Sequence, residues 1–530
     1  AQLAMQRAVT AAQIQGTYTA VLRKPLSSRS ICRPRPSLHS ARCVGARMAA
    51  RPKASAGGIL GDLSRAITSK LGGGGGDVAG ATSTSTSVFS DNAPSWPVLT
   101  EMVAAQKLEL KVPHKDLEAG PTNAQALRRT FGQPGEPRVK FYRDHAAWCP
   151  YCQKIWLQLE EKRIPYTVEK INMNCYGDKK RAYLAMCPAG LLPAAEIDGK
   201  LYTESAVIAE VLERDFPDHV SLIPAPGSAQ HFEAESLLRL ERGVFSRWMG
   251  WLTSPRGDAA GKAGFVEAVD AVDDALAKNG GPFFLGESLT LVDITFTPFL
   301  ERMAASVAYY KGLRMVGGGT WPHLEAWFEA MSERDTYNGT KSDFYTHCHD
   351  LPPQLGGCAF NEQGPAVAAA IDGTDGEAWH LPLAPLSPTA LEPWFAPETP
   401  DLDRLEAASA IVSNHKAVTR FAARGAGTPG ARPVRAPLAD PTATPNEDAV
   451  PAVDAALRHV VHALLVGVDA AQLGEDALQV VGSGGSGMPG GPVVVSAAYL
   501  RDRVGVPRDM SYPAARQLRA HLNWIIDSLK

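Results

Sequence analysis

The first 61 residues contain no aspartate or glutamate. Nowhere does the chain hold an uninterrupted apolar run near the ~18–20 residues that a membrane-spanning helix needs, which argues against membrane insertion. Cysteine is scarce, with eight in 530 residues. Cys32 and Cys43 fall in the acid-free segment, and the other six show no regular framework spacing, which argues against a disulfide-stapled secreted scaffold. What the N-terminal segment does have is basic: ten Lys or Arg within residues 1–55, among many Ser, Thr and Ala. That composition predicts an organelle transit peptide over 1–55, with Ser, Thr and Pro pointing to the plastid stroma. A basic disordered arm is the alternative. Losing those ten cations takes the formal charge from −3 to −13. An acidic chain of this kind does not suit nucleic acid as a partner.

The rest is globular in composition, 45% apolar and 21% charged, and too long for one ordinary domain. A glycine run at 72–76 and a Ser/Thr stretch at 82–87 predict a flexible linker over 56–90. An N-terminal extension follows over 91–135, with helical pieces at 96–108 and 123–131 expected to pack on the next domain. At Val139 and Phe141 the pattern turns to strand alternation and runs into Trp148, Cys149, Pro150, Tyr151 and Cys152. Ile155, Trp156 and Leu159 have helical spacing, and Lys162 and Arg163 close the last turn. A strand over 166–171 comes next. Strands over 194–197 and 201–203 then flank Asp198-Gly199, a strong hairpin signal, and a helix follows over 205–214. This order predicts an α/β thioredoxin-like domain over 136–226.

Residues 227–358 read as all-helical. Thr290 and Asp293 stand at capping-box spacing before an apolar helix, with Asp in place of the usual Glu. Amphipathic stretches at 402–421, 453–465 and 518–529 predict a further helical module over 359–530, with 425–451 and 482–491 loop-like.

The chemistry centres on Cys149. It follows a strand and starts a helix, where backbone N–H groups and the helix dipole favour a thiolate. Cys152, one turn on, is placed to resolve a mixed disulfide. The alternative is a structural or zinc-binding pair. A zinc site normally needs a second ligand pair, for which only His347, Cys348, His349 and Cys358 offer themselves, so no metal is expected. Leu192-Pro193, if cis, would present the Leu192 backbone to an extended peptide-like ligand. Glu204 and Ser205 stand at a helix N-terminus, where Ser205 and backbone N–H groups can hold a carboxylate and Glu204 an amino group.

Together these residues carry a resemblance. Trp148 to Cys152 resembles the glutaredoxin active site, and Leu192-Pro193 with Thr203, Glu204 and Ser205 resembles the glutathione-binding elements of glutathione transferases. Residues 142–154, 168–170, 175–177 and 341–357 are similar to the iota class of photosynthetic organisms, and the likeness runs over about 92–530. It implies a thioredoxin-like domain, an all-α transferase domain and an added helical module. The activity implied is glutathione-dependent thiol transfer, deglutathionylation or dehydroascorbate-type reduction. In it, Cys149 attacks and Cys152 resolves, while Leu192, Pro193, Glu204 and Ser205 bind glutathione as co-substrate. Oxidised thiols or small molecules are the implied partners, and a homodimer the implied assembly unless the C-terminal module covers the usual interface. Two other readings stay open: a plastid scaffold acting through that module, and iron–sulfur binding by Cys149 with glutathione. Cys175 and Cys187 are expected to be spectators, and residues 347–349 a loop against the module. His459 and His462 are expected in a core, and Lys162, Arg163 and Lys170 as solvated charges.

Overall fold

The computed structural model describes residues 93–173, 176–430, 438, 440–471 and 491–529. The expected transit peptide and linker, Cys175 and most of the 482–491 loop lie outside the described residues.

A five-stranded mixed sheet forms the first domain, in the order β1(Arg128–Arg129), β3(Tyr166–Ile171), β2(Val139–Asp144), β4(Ala194–Ile197), β5(Lys200–Thr203). β2 runs parallel to β3 and antiparallel to β4, and β4 pairs antiparallel with β5. The β4–β5 turn has positive φ at both Asp198 and Gly199, as a two-residue primed hairpin turn requires. Helices α2(Pro150–Lys162), α3(Arg181–Met186) and α4(Ser205–Asp215) complete a thioredoxin-like domain. α1(Trp96–Glu109) precedes the sheet in the chain.

The expected helix over 123–131 is instead a turn followed by β1. Tertiary pairing overrides local helical spacing here. Arg129 pairs with Tyr166 on the edge of β3, and its buried guanidinium meets the Glu160 carboxylate through two bonds of 2.9 and 2.8 Å. Glu160 also accepts from Thr122 and from Tyr166, so the extension is tied to α2 and β3 at one buried carboxylate. Lys162 is likewise corrected. It is buried, with its ammonium 3.1 Å from Glu213 and donating to the Val220 carbonyl at 2.6 Å.

An all-helical domain follows: α5(Ala229–Thr253), α6(Asp258–Ala277), α7(Leu291–Lys311) and α8(Pro322–Ser332). The capping box closes as expected, with Asp293 accepting the Thr290 N–H at 2.8 Å. Asp293 also takes the Phe284 N–H and the Trp327 indole. Every residue of α7 from Val292 to Lys311 is buried, so this helix is the axis of the domain. After the single turn α9(Asp335–Asn338) comes α10(Phe344–Leu355), a helix where a loop over 347–349 was expected. α11(Gly364–Ile371), Trp379 and Phe395 pack on this same core, although their stretch of chain read as part of the C-terminal module.

The second core is a separate bundle of α12(Pro400–Ser413), α13(His415–Ala422), α14(Val450–Val466), α15(Gly491–Arg501) and α16(Tyr512–Ser528). The single helix expected over 402–421 is interrupted at Asn414. Residues 447–466 match a membrane span in length and composition, but their apolar side chains form the middle of this bundle. α1 belongs here too, not on the thioredoxin-like domain. Leu99 and Val103, one turn apart, are buried against α12 and α14. Trp96 donates to Asp454 at 2.8 Å and stacks on His415, and Gln106 donates to the Leu465 carbonyl. Leu99→Ala is expected to cost the bundle about 2–5 kcal/mol, the usual range for a buried Leu truncation. Chemical denaturation of the full chain checks this, and the exposed Leu108→Ala serves as a near-neutral control.

Candidate functional site

β2 ends at Asp144, the chain turns through Ala147 at positive φ, and α2 begins at Pro150 with Cys149 as its N-cap residue. Proline at the first helical position has the φ the helix needs and no N–H to leave unpaired. Cys149 is 9% exposed and Cys152 1%, and both are free thiols. Burial, and next the adjoining Cys149, push the Cys152 thiol well above its ordinary range.

The sheet register brings the other sequence-predicted residues to the same end. Tyr142 of β2 lies opposite Ala194 of β4, and Ala194 opposite Thr203 of β5. The chain leaves β2 toward Cys149, enters β4 from Leu192-Pro193 and leaves β5 into Glu204-Ser205. Leu192-Pro193 is cis. Glu204 and Ser205 are half-exposed at the N-terminus of α4, and the Glu204 side chain makes no capping bond to that helix. A carboxylate and a hydroxyl thus stand half-exposed where the first N–H groups of a helix lack intrahelical acceptors, a set that suits a ligand with an amino and a carboxylate end.

Several residues missed in the sequence hold the Cys149 loop. The Trp148 N–H donates to Asp144 Oδ2 at 2.7 Å, and its indole donates to His347 Nδ1 at 3.0 Å. The Arg302 guanidinium lies 4.7 Å from the centre of the Trp148 ring and donates to the Trp148 carbonyl, to Gln153 Oε1 and to the Pro298 carbonyl. Gln153 in turn donates to Glu301. No local signal marks Arg302 or Glu301, which sit in an apolar helix some 150 residues from the cysteines. His347 Nε2 lies 3.4 Å from Glu301 Oε2, yet this is no ion pair: burial first, then Arg302, hold the imidazole neutral. Burial also raises Glu301 to about 7, against the opposing pull of Arg302.

The candidate metal ligands around residue 347 diverge. His347 turns to Trp148, while His349 turns to Asp372 at 2.8 Å. Among the described residues, the cluster with metal-ligating atoms close together is Asp144, Cys149 and Cys152, whose atoms lie within 4.8 Å of one another. Cys187 is buried below the cis proline, its thiol toward the Leu191 carbonyl. His459 is buried and His462 half-buried in the bundle, and burial lowers both below the usual histidine range.

Residues 148–215 match the model for the glutathione S-transferase N-terminal domain, and 237–330 that for the C-terminal domain. Among curated proteins, glutathione S-transferase L1 of Arabidopsis thaliana is 30% identical over 196 residues, covering 37% of this chain and 79% of that protein. Glutathione S-transferase DHAR2 of the same plant is 27% identical over 194 residues, covering 37% and 84%. Among solved structures, glutathione transferase Omega 3C of Trametes versicolor is 26% identical, covers 42% of this chain and 97% of that one, and has a TM-score of 0.35.

Two predictions follow from the buried network. His347→Leu leaves the Trp148 indole N–H without its acceptor, which is expected to cost about 1–3 kcal/mol in denaturant unfolding. Glu301 sits above its unfolded value of 4.5, so folded chains hold this proton while unfolded chains lose it. Its contribution is full below pH 4.5 and fades as pH rises through about 7. Glu301→Gln is therefore expected to flatten part of the fall in melting temperature between those values, as scanning calorimetry across pH would read.

Proposed function

The chain belongs to the glutathione transferase family, and from that premise we propose that it is a glutathione-dependent thiol transferase or reductase. The observation that carries this reading is Cys149, which caps a helix one turn from Cys152 and is barely exposed, at the sheet end shared with cis-Pro193, Glu204 and Ser205. A cysteine forms a covalent disulfide with glutathione, whereas a hydroxyl at that position can only stabilise the glutathione thiolate.

In the proposed cycle, the Cys149 thiolate attacks the glutathione sulfur of a mixed disulfide. One S–S bond forms on Cys149 as another breaks, and the substrate leaves as a thiolate that takes up a proton. Cys152 then attacks Cys149 and releases glutathione, leaving a Cys149–Cys152 disulfide that two further glutathiones reduce as they leave as glutathione disulfide, or a second glutathione attacks the adduct directly and regenerates the thiol with formation of glutathione disulfide. The γ-glutamyl end lies on Glu204 and Ser205 and the peptide portion along Leu192-Pro193. Substrates are glutathionylated thiols or oxidised small molecules of the dehydroascorbate type. The reading includes the iota class for the finer assignment, and the plastid stroma, reached through the basic N-terminal segment, for the location.

Incubation with oxidised glutathione followed by intact-mass measurement tests the mechanism. Cys152→Ser is expected to trap one glutathione per chain and Cys149→Ser none. Full thioltransferase turnover in Cys149→Ser would refute it.

A further inference from the structure

Asp144 ends β2 directly beneath the Cys149 loop. It is 1% exposed, one carboxylate oxygen accepts the Trp148 N–H at 2.7 Å, and the other, Oδ1, has no hydrogen-bond partner among the described residues. An unpartnered buried carboxylate oxygen is costly to maintain, and such groups call for an explanation. A carboxylate oxygen of Asp144 and the sulfurs of Cys149 and Cys152 lie within 4.8 Å of one another.

The second step of the proposed cycle has an unmet need at this place. Cys152 is enclosed, and its thiol is held protonated by burial and by the neighbouring Cys149. Water has little access to take the proton, and only a thiolate attacks a disulfide. We propose that the Asp144 carboxylate is the proton acceptor for Cys152 during resolution of the Cys149–glutathione disulfide. This inference rests on the thiol-transfer reading above.

The step balances. The Cys152 proton passes to Asp144, directly or through one water, as its sulfur bonds to Cys149. The bond from Cys149 to glutathione breaks with its electron pair leaving on glutathione, and that thiolate collects the proton from Asp144. Nothing else is oxidised or reduced. Other charged or titratable groups face this carboxylate. Arg143 and Arg302 are buried guanidinia close to it, and His145, Lys170 and Asp350 lie within electrostatic range. Burial lowers His145 and raises Asp350 to about 7, while Arg143 donates to the Asp144 main-chain carbonyl and leaves the side-chain oxygen alone.

Asp144→Asn tests the assignment, because its amide oxygen can still accept the Trp148 N–H while the base is gone. Two rates are read in the full chain: glutathione adduct formation by quenched intact mass, and glutathione release from the preformed adduct. The ratio of release to formation is expected to fall at least about a hundredfold near neutral pH, the lower side of general-base effects. It should recover as pH rises toward the ionisation of the thiol itself. An unchanged ratio at every pH would overturn the inference. If the variant does not fold, the wild-type chain in deuterium oxide carries the test, with slower release expected and equal release in both solvents overturning it. An adduct missing even from wild type and Cys152→Ser would instead refute the thiol-transfer reading.

Discussion

Arg302 is a guanidinium with 1% exposure, and the arrangement around the cysteines depends on where its donors go. Burying such a charge is expensive unless its hydrogen bonds are met nearly in full. Here both terminal nitrogens are engaged, by the Trp148 carbonyl, by Gln153 one residue beyond Cys152, and by the Pro298 carbonyl of its own helix, with the Trp148 ring stacked on its face, while Nε has no partner among the described residues. The cation therefore cannot leave the thioredoxin-like domain without stranding its charge. The two domains meet at the loop that holds Cys149, and the electrostatic surroundings of that residue are supplied in good part by the helical domain.

A buried ion pair extends that dependence to the C-terminal bundle. Arg519 of α16 meets Asp343 at 2.6 Å, both almost fully enclosed, and Asp343 also caps α10 by accepting the Thr346 N–H. One turn further along α10, His347 accepts the Trp148 indole, and Asp350 accepts the Tyr176 hydroxyl at 2.5 Å. Ser342 and Tyr345 add bonds to the carbonyls of Val506 and Asp502. The bundle thus fixes the start of α10, and α10 fixes the side chain next to Cys149. α1 completes that bundle from the other end of the described chain, so residues on both sides of the transferase domains bear on the position of one short helix.

How much of this was legible in the sequence follows from the range of each interaction. The strand–CxxC–helix order, the Asp198-Gly199 hairpin and the Thr290–Asp293 capping box rest on contacts within a few residues, and local spacing carries them. The 123–131 stretch has helical spacing but is a turn and an edge strand, because Glu160, some 30 residues away, decides where Arg129 must lie. The pattern of α1 correctly marked a helix but could not name its partner, since Leu99 is met by residues more than 300 positions on. Lys162 looked solvated because a basic pair at a helix end usually is; Glu213 is what takes it inside. The same holds at the site. Cys149, Cys152, Leu192, Pro193, Glu204 and Ser205 stand out because residue type and order mark them. Arg302 and Glu301 act through space and leave no local trace, and His347, which stood out only as a metal candidate, serves instead as the acceptor for the Trp148 indole.

The protonation pattern around the cysteines follows from these long-range choices. Glu301 and Asp350, which in water would be fully ionised, are both held near 7 by burial, and His347 is kept neutral by burial and Arg302. Partly neutral acids compensate the buried guanidinia of Arg143 and Arg302 only incompletely at working pH. Asp144 and the two sulfurs complete the set of acidic groups beside them. Thiol–disulfide exchange moves one negative charge between sulfurs and carries a proton in the opposite sense. A site with two fixed cations and fully ionised acids would already be balanced and would gain little from a thiolate. One whose acids are half-neutral leaves the cations to stabilise the charge as it moves, and in a medium of low dielectric that difference is large.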